Sequence, residues 1–373
     1  MNVPRRETEK EHVLPSIDEH RHRVLELNIV GIEVIQAVQR FTFPDPNAGA
    51  AAAAGLVAGG YGNNSVPLVA HKRTLARVYV DSGPTDNVPV KGTMTLSSLD
   101  GSWGPASVDV GPPVNLGGAT ARELANLDRG DLRNSLNFML PVPLLAGPIR
   151  LDAEIDVDDP LYGSSPVTHS ESVEFQERKL PKTLIPMLVM NGEAGMILQM
   201  ADYEAALDHV RAAFPAPDDN FDHLPPLDGG EWVYNEDDLT TQDGTNGLMM
   251  QLENIVSGFD TSASIVTAEL VHPREPIWGA LDGLSVGYIV WFTYEASPYE
   301  TAGPFAHELG HSFGLHHAGE DPRIPLVTDD YGVDLSSMTL MPPRSSELMN
   351  AMSGYPWWMS TATWGILFDA FAV

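Results

Sequence analysis

The residues best placed to do chemistry lie in one short run, His307-Glu308-Leu309-Gly310-His311-Ser312-Phe313-Gly314-Leu315-His316-His317. Histidines four apart project from one face of a helix. His307 and His311 can therefore grip one metal ion with two imidazoles. Glu308 is rotated about a third of a turn from His307. It flanks the ion without having to bind it, where a carboxylate can hold and deprotonate a water. Catalytic zinc wants three protein ligands and one open position. Gly314 can end the helix by entering the left-handed backbone region without Cβ strain. The chain then turns beneath the metal and His317 supplies the third imidazole.

The donors must be presented by a helix that ends on time. Pro304 favours a helix start there, so the spacing predicts a helix from about Pro304 through His311. Other donors compete for the third place. Glu320 or Glu347 would complete a different zinc architecture, but Gly314 and His317 at their spacing favour the histidine. His316 reads as a neighbour rather than a ligand. Asp329, Asp330 and Asp334 have the chemistry for calcium, but no Ca2+ spacing supports it, and a solvated acidic loop is the expectation. The remaining histidines lack metal-like spacing.

The pattern His-Glu-x-x-His-x-x-Gly-x-x-His resembles the zinc signature of the metzincin metallopeptidases. His307, Glu308, His311, Gly314 and His317 match all five fixed positions. The resemblance implies a zinc-dependent endopeptidase. It would hold one catalytic Zn2+ on His307, His311 and His317, with Glu308 as general base and a protein or peptide as substrate. It also implies a methionine turn beneath the metal. The stretch 346–358 looks like such a turn, with Met349 as its methionine and Met352 as the alternative. Some metzincins carry a tyrosine two residues after that methionine. Ala351 stands there, so Tyr355 would have to reach in as the transition-state or substrate contact. The family also implies a strand bordering the cleft, on which an extended peptide can pair. Tyr288, Ile289, Val290, Trp291 and Phe292 occupy that place in the sequence, with an ordinary central strand as the other reading of the same run.

The fold class expected is α+β: a metzincin-like catalytic domain with a mixed sheet, zinc helix and C-terminal subdomain, preceded by an all-β immunoglobulin-like sandwich. The catalytic part is assigned to 181–373. Leu184 to Met190 reads as a buried strand. Ala194 to Phe214 reads as a helix, with Leu198, Ala201, Ala205 and Val210 on one face. Leu248, Leu252, Ile255 and Val256 suggest a second helix. The sandwich is assigned to 24–178. There Ile149, Leu151, Ala153, Ile155 and Val157 alternate with Arg150, Asp152, Glu154, Asp156 and Asp158, the period of a half-buried antiparallel strand. Val88 to Leu96 alternates likewise, and Gly/Pro turns separate the runs.

Composition narrows the partners. The 373 residues carry 21 Lys+Arg against 51 Asp+Glu, a net charge of −30. Such a surface repels phosphate backbones and anionic lipid, so nucleic-acid binding is not expected. No apolar run reaches the ~18 residues that span a bilayer, so no membrane insertion is expected. With no cysteine, thiol catalysis and Cys-ligated metal are excluded. Residues 1–23 read as a loosely attached arm with no apolar core, which is not a secretory signal. Secretion is what the family resemblance favours, so localisation stays open, as does the oligomeric state. The alternative function is a non-catalytic, zinc-containing binding or adhesion protein that uses the sandwich. A hydrolase acting on a non-peptide bond is a third reading.

Overall fold

A computed structural model describes residues 23–43, 63–101, 107–110, 112–114, 118–141, 145–163, 165–191, 199–224, 232–234, 239–257, 264–271, 283–294, 297–350 and 357–373. Six long strands come first: β1 (Asn28–Ile35), β2 (Leu75–Asp81), β3 (Val88–Ser98), β4 (Leu136–Met139), β5 (Gly147–Val157) and β6 (Val167–Gln176). β1, β2 and β4 form a three-stranded antiparallel sheet with β2 in the centre. β3, β5 and β6 form the spine of a six-stranded sheet, with β5 between the other two. The alternation along β5 works as its side chains require. Ile149, Leu151, Ala153, Ile155 and Val157 are buried, while the intervening charged residues face outward. Ile32, Val34, Val78 and Phe138 of one sheet share an apolar core with Met94, Leu96, Ile155 and Phe175 of the other.

Beyond residue 180 the sheet is mixed. It contains β7 (Thr183–Asn191), β8 (Ser264–Val271), β9 (Gly283–Val286) and β10 (Ile289–Tyr294). The order is Trp232–Tyr234, β7, β8, β10, β9. All pairings are parallel except β9 on β10, which is antiparallel. Among the described residues four helices accompany it: α1 (Met200–Ala213), α2 (Gln242–Val256), α3 (Pro298–Ser312) and α4 (Thr361–Ala370). Alternate residues of the buried strands feed opposite faces, as expected of a parallel sheet covered on both sides. Ile265, Val290 and Phe292 pack with Tyr203 and Leu207 of α1 and Phe305 and Leu309 of α3. Val266, Ala268, Ile289 and Trp291 pack with Leu248, Leu252 and Val256 of α2. The Phe292 and Phe305 rings stack at 4.2 Å between centroids and seat α3 on the sheet.

Helix α1 departs from the sequence expectation. Its described part begins at Met200, with a capping box between Gln199 and Asp202. Its buried face is Tyr203, Ala206, Leu207, Val210 and Ala213, whereas Ala201 is exposed. Alanines mark a helix face weakly, because they are nearly indifferent to burial. Leu198 lies outside the described residues.

The two halves are stitched together. Ala37, Val38, Val66 and Val69 belong to the same core as α1, α3 and α4. The Trp358 indole donates to the Ala37 carbonyl at 2.9 Å, and Trp364 donates to the Pro67 carbonyl at 3.0 Å. Buried Lys72 donates to the Arg211 carbonyl at 2.6 Å. Buried Arg129 bridges Glu33 of β1 and Asp330 of the later chain.

Candidate metal centre

Helix α3 carries the first two histidines and starts earlier than Pro304. Ser297 is its N-cap, accepting from the Glu300 amide at 3.3 Å, and Pro298 takes the first helical position. This cap is the strong start signal; Pro304 sits inside the helix, where its missing N–H costs one hydrogen bond. The helix closes at Phe313, and Gly314 adopts a φ of 86°, the left-handed region that glycine enters freely. The Leu315 amide returns to the Gly310 carbonyl at 3.1 Å. That turn carries the chain back beneath the helix.

The three imidazoles converge. His311 Nε2 lies 3.1 Å from His307 Nε2 and 3.1 Å from His317 Nε2. Two zinc–nitrogen bonds of ~2.0–2.1 Å at the tetrahedral angle put their nitrogens roughly 3.3 Å apart, so the observed spacing fits such a centre closely. The other ring nitrogens fix the tautomers. His307 Nδ1 donates to the Leu348 carbonyl and His311 Nδ1 to the Leu315 carbonyl, each at 2.8 Å. Their Nε2 atoms then carry lone pairs aimed at a common point, the arrangement that metal-ligating histidines adopt. Burial pushes His307 down to about 4 and lowers His311 as well. Both are therefore neutral near pH 7, the state a metal needs. Among the described residues, these three form the group of histidine, aspartate or glutamate side chains able to hold an ion. His316 is exposed and outside the cluster.

Glu308 follows the first of these histidines and is buried. Burial raises its carboxyl to about 8, opposed by a hydrogen bond from the Ser285 backbone. A Cβ built on Gly283 would meet Glu308 Cγ at 2.7 Å, so the side chain lies directly against β9. Gly283 and Ser285 carry no sequence signal of this role, because the contact spans more than twenty residues.

Leu348 and Met349 pack against the three-histidine group. The Leu348 carbonyl orients His307, as above, and the Met349 carbonyl accepts from the Ala318 amide at 2.8 Å. Met349 is fully buried, and a Cβ on Gly310 would lie 2.8 Å from its sulfur. Glycine at 310 thus permits the thioether to pack against the helix between the two ligand turns. Met352, Ala351 and Tyr355 lie outside the described residues.

Several sequence expectations are corrected. Residues 289–292 do not border the sheet. Ile289–Tyr294 is flanked by β8 and β9, Tyr288 sits in the turn before it, and the border strand is Gly283–Val286. The apolar run reads as a strand because it is buried on both faces, and burial is what an interior strand has. The disfavoured alternative ligand Glu347 does not join the three histidines. It is fully buried and accepts from the Met349 amide at 2.5 Å and Thr363 Oγ1 at 2.6 Å. Glu320 lies 3.8 Å from His317 Nδ1, on the ring edge away from the shared point. Among the described residues the three aspartates form no metal group, and only Asp329 is solvent-exposed as the loop reading expects. Asp329 caps Thr361, Asp330 meets Arg129, and fully buried Asp334 binds His209 Nδ1 at 2.6 Å.

No protein-family model matches the chain, and no curated protein matches it in sequence. Among solved structures it is similar to metalloproteinase-II from Bacteroides fragilis. The identity is 14%, over 64% of this chain and 79% of that one, with a TM-score of 0.27. It is also similar to a family 123 glycoside hydrolase from Clostridium perfringens at 11% identity, over 55% of this chain, with a TM-score of 0.21. The match spans 33% of that hydrolase's length.

Proposed function

We propose that the chain is a zinc-dependent endopeptidase of metzincin type that cuts protein or peptide substrates. The observation that carries this reading is the convergence of three imidazoles, with His311 Nε2 3.1 Å from both His307 Nε2 and His317 Nε2, beside Glu308 on the helix that carries the first two. Three histidine nitrogens suit zinc and leave a fourth position for chemistry. Zinc bound there supplies Lewis-acid activation of a water and polarisation of a carbonyl. Glu308 takes a proton from the attacking water and passes it to the departing nitrogen as the C–N bond breaks. One water is consumed, and an acid and an amine are released. Burial alone favours the protonated form of Glu308; a nearby dication favours the carboxylate that a base requires.

The reading assigns Met349 as the turn methionine, Tyr355 as a candidate contact to the transition state, and β9 as the strand on which an extended peptide pairs. It also takes 181–373 as the catalytic domain and the two sheets within 24–178 as an immunoglobulin-like sandwich.

The test is Glu308→Gln. Hydrolysis of casein or a quenched peptide should fall ~10²–10⁴-fold, while zinc stays near one per chain by elemental analysis. Undiminished hydrolysis would remove Glu308 as base. Stoichiometric zinc with no cleavage across a broad protein panel would favour the binding-protein alternative.

A further inference from the structure

We infer that the border strand β9 positions Glu308, with Gly283 supplying the space and Ser285 tying the strand to α3. The inference rests on the reading of Glu308 as the base and names two residues that set where its carboxyl stands.

Three contacts converge on it. A Cβ on Gly283 would stand 2.7 Å from Glu308 Cγ and 3.3 Å from Oε1. On its other side it would meet the Trp291 carbonyl at 3.0 Å. That oxygen is backbone in β10, where the sheet cannot give way. Any side chain at 283 therefore displaces Glu308 or pushes β9 off its neighbour. Two residues on, the Ser285 backbone lies where it favours the charged form of the Glu308 carboxyl. The Ser285 hydroxyl also lies 2.9 Å from the Ser312 hydroxyl, which ties β9 to the last turn of α3. Residues two apart on a strand face the same side. Gly283 and Ser285 thus address α3, while Leu284 between them packs with the α2 core.

The carboxyl is thereby held by a piece of sheet edge, independently of the histidines. A misplacement on the order of 1 Å can cost a base about 100-fold in rate. The gap left by the missing Cβ is therefore a functional requirement; the φ of Gly283 is not in the left-handed region.

Two variants test this. Gly283→Ala crowds the Glu308 methylenes. Ser285→Ala removes the hydroxyl that faces Ser312 and adds no bulk. In each, kcat should fall roughly 10–100-fold with KM within about threefold. Zinc should stay at one per chain, and a crystal structure of Gly283→Ala should show the Glu308 carboxyl displaced. A double-mutant cycle with Glu308→Asp should be non-additive, because the shorter acid relieves the crowding. If both variants keep kcat within twofold, or if the Glu308 carboxyl stays in place in Gly283→Ala, the inference is overturned. Failure of the underlying reading has a different signature, namely full activity in Glu308→Gln.

Discussion

At the residue scale, burial does the same physical thing to neighbours with opposite results. It keeps His307 uncharged and ready to donate a lone pair, and it pushes Glu308 up to about 8. A second buried acid shows the effect without a partner. Glu269 of β8 lies between Leu188 and Phe292, is fully buried, and neither carboxyl oxygen has a hydrogen-bond partner among the described residues. Burial raises it from 4.5 to about 8, and the charge of Asp202 adds to this. The folded chain thus keeps a proton that the unfolded chain releases near 4.5. Its contribution to stability is full below that pH and is lost as pH rises toward 8. Glu269→Gln does not titrate. Its urea-unfolding stability should therefore gain on the wild type by a few kcal/mol between pH 5 and pH 8.5, at about 1.4 kcal/mol per pKa unit. A gap that does not change with pH would refute this. The metal residues were legible because all three sit within eleven positions, where spacing alone implies proximity. The sequence hides Glu269, because its isolation arises from strands that meet only in the fold. It hides Asp330 for the same reason: its partner Arg129 is 201 residues away.

At the element scale, local signals were read well where they were local. Gly314 ends α3 as a left-handed glycine should, and the alternation of β5 is the alternation of its sequence. Helix α3 starts about one and a half turns before Pro304 because the Ser297 side chain caps it, and a proline is also tolerated inside a helix that packing holds. The border of the sheet was misplaced because strand order is set by pairing, and β9 is too short to announce itself. Met349 belongs to this scale, since it joins the floor of the centre to the underside of α3. Met349→Ala should lower unfolding free energy by ~2–5 kcal/mol through the cavity it leaves. Met349→Leu, close in volume, should cost less than ~1.5 kcal/mol. Equal losses in denaturant titrations would mean that the thioether, rather than its volume, matters.

At the scale of the whole molecule, a single tryptophan joins distant chain segments. A Cβ on Gly332 would lie 2.3 Å from Trp358 Nε1 and 2.9 Å from the Ala37 carbonyl. Only glycine lets the indole reach that carbonyl, and the Val333 amide shares it at 2.8 Å. Gly332→Ala should therefore cost at least ~1–3 kcal/mol from overpacking. Because the largest core contains residues from both ends of the chain, calorimetry of the wild type should show one cooperative transition. Two resolved peaks would show that the core does not couple them. None of this junction is visible from composition or periodicity, which report on single elements.

The bracket formed by Glu347 has a practical meaning. Its carboxylate gathers the Met349 amide together with Ser360 and Thr363 at the start of α4. The last helix is in this way bolted to the platform under His307. Strain applied to α4 would therefore reach the Leu348 carbonyl that orients His307.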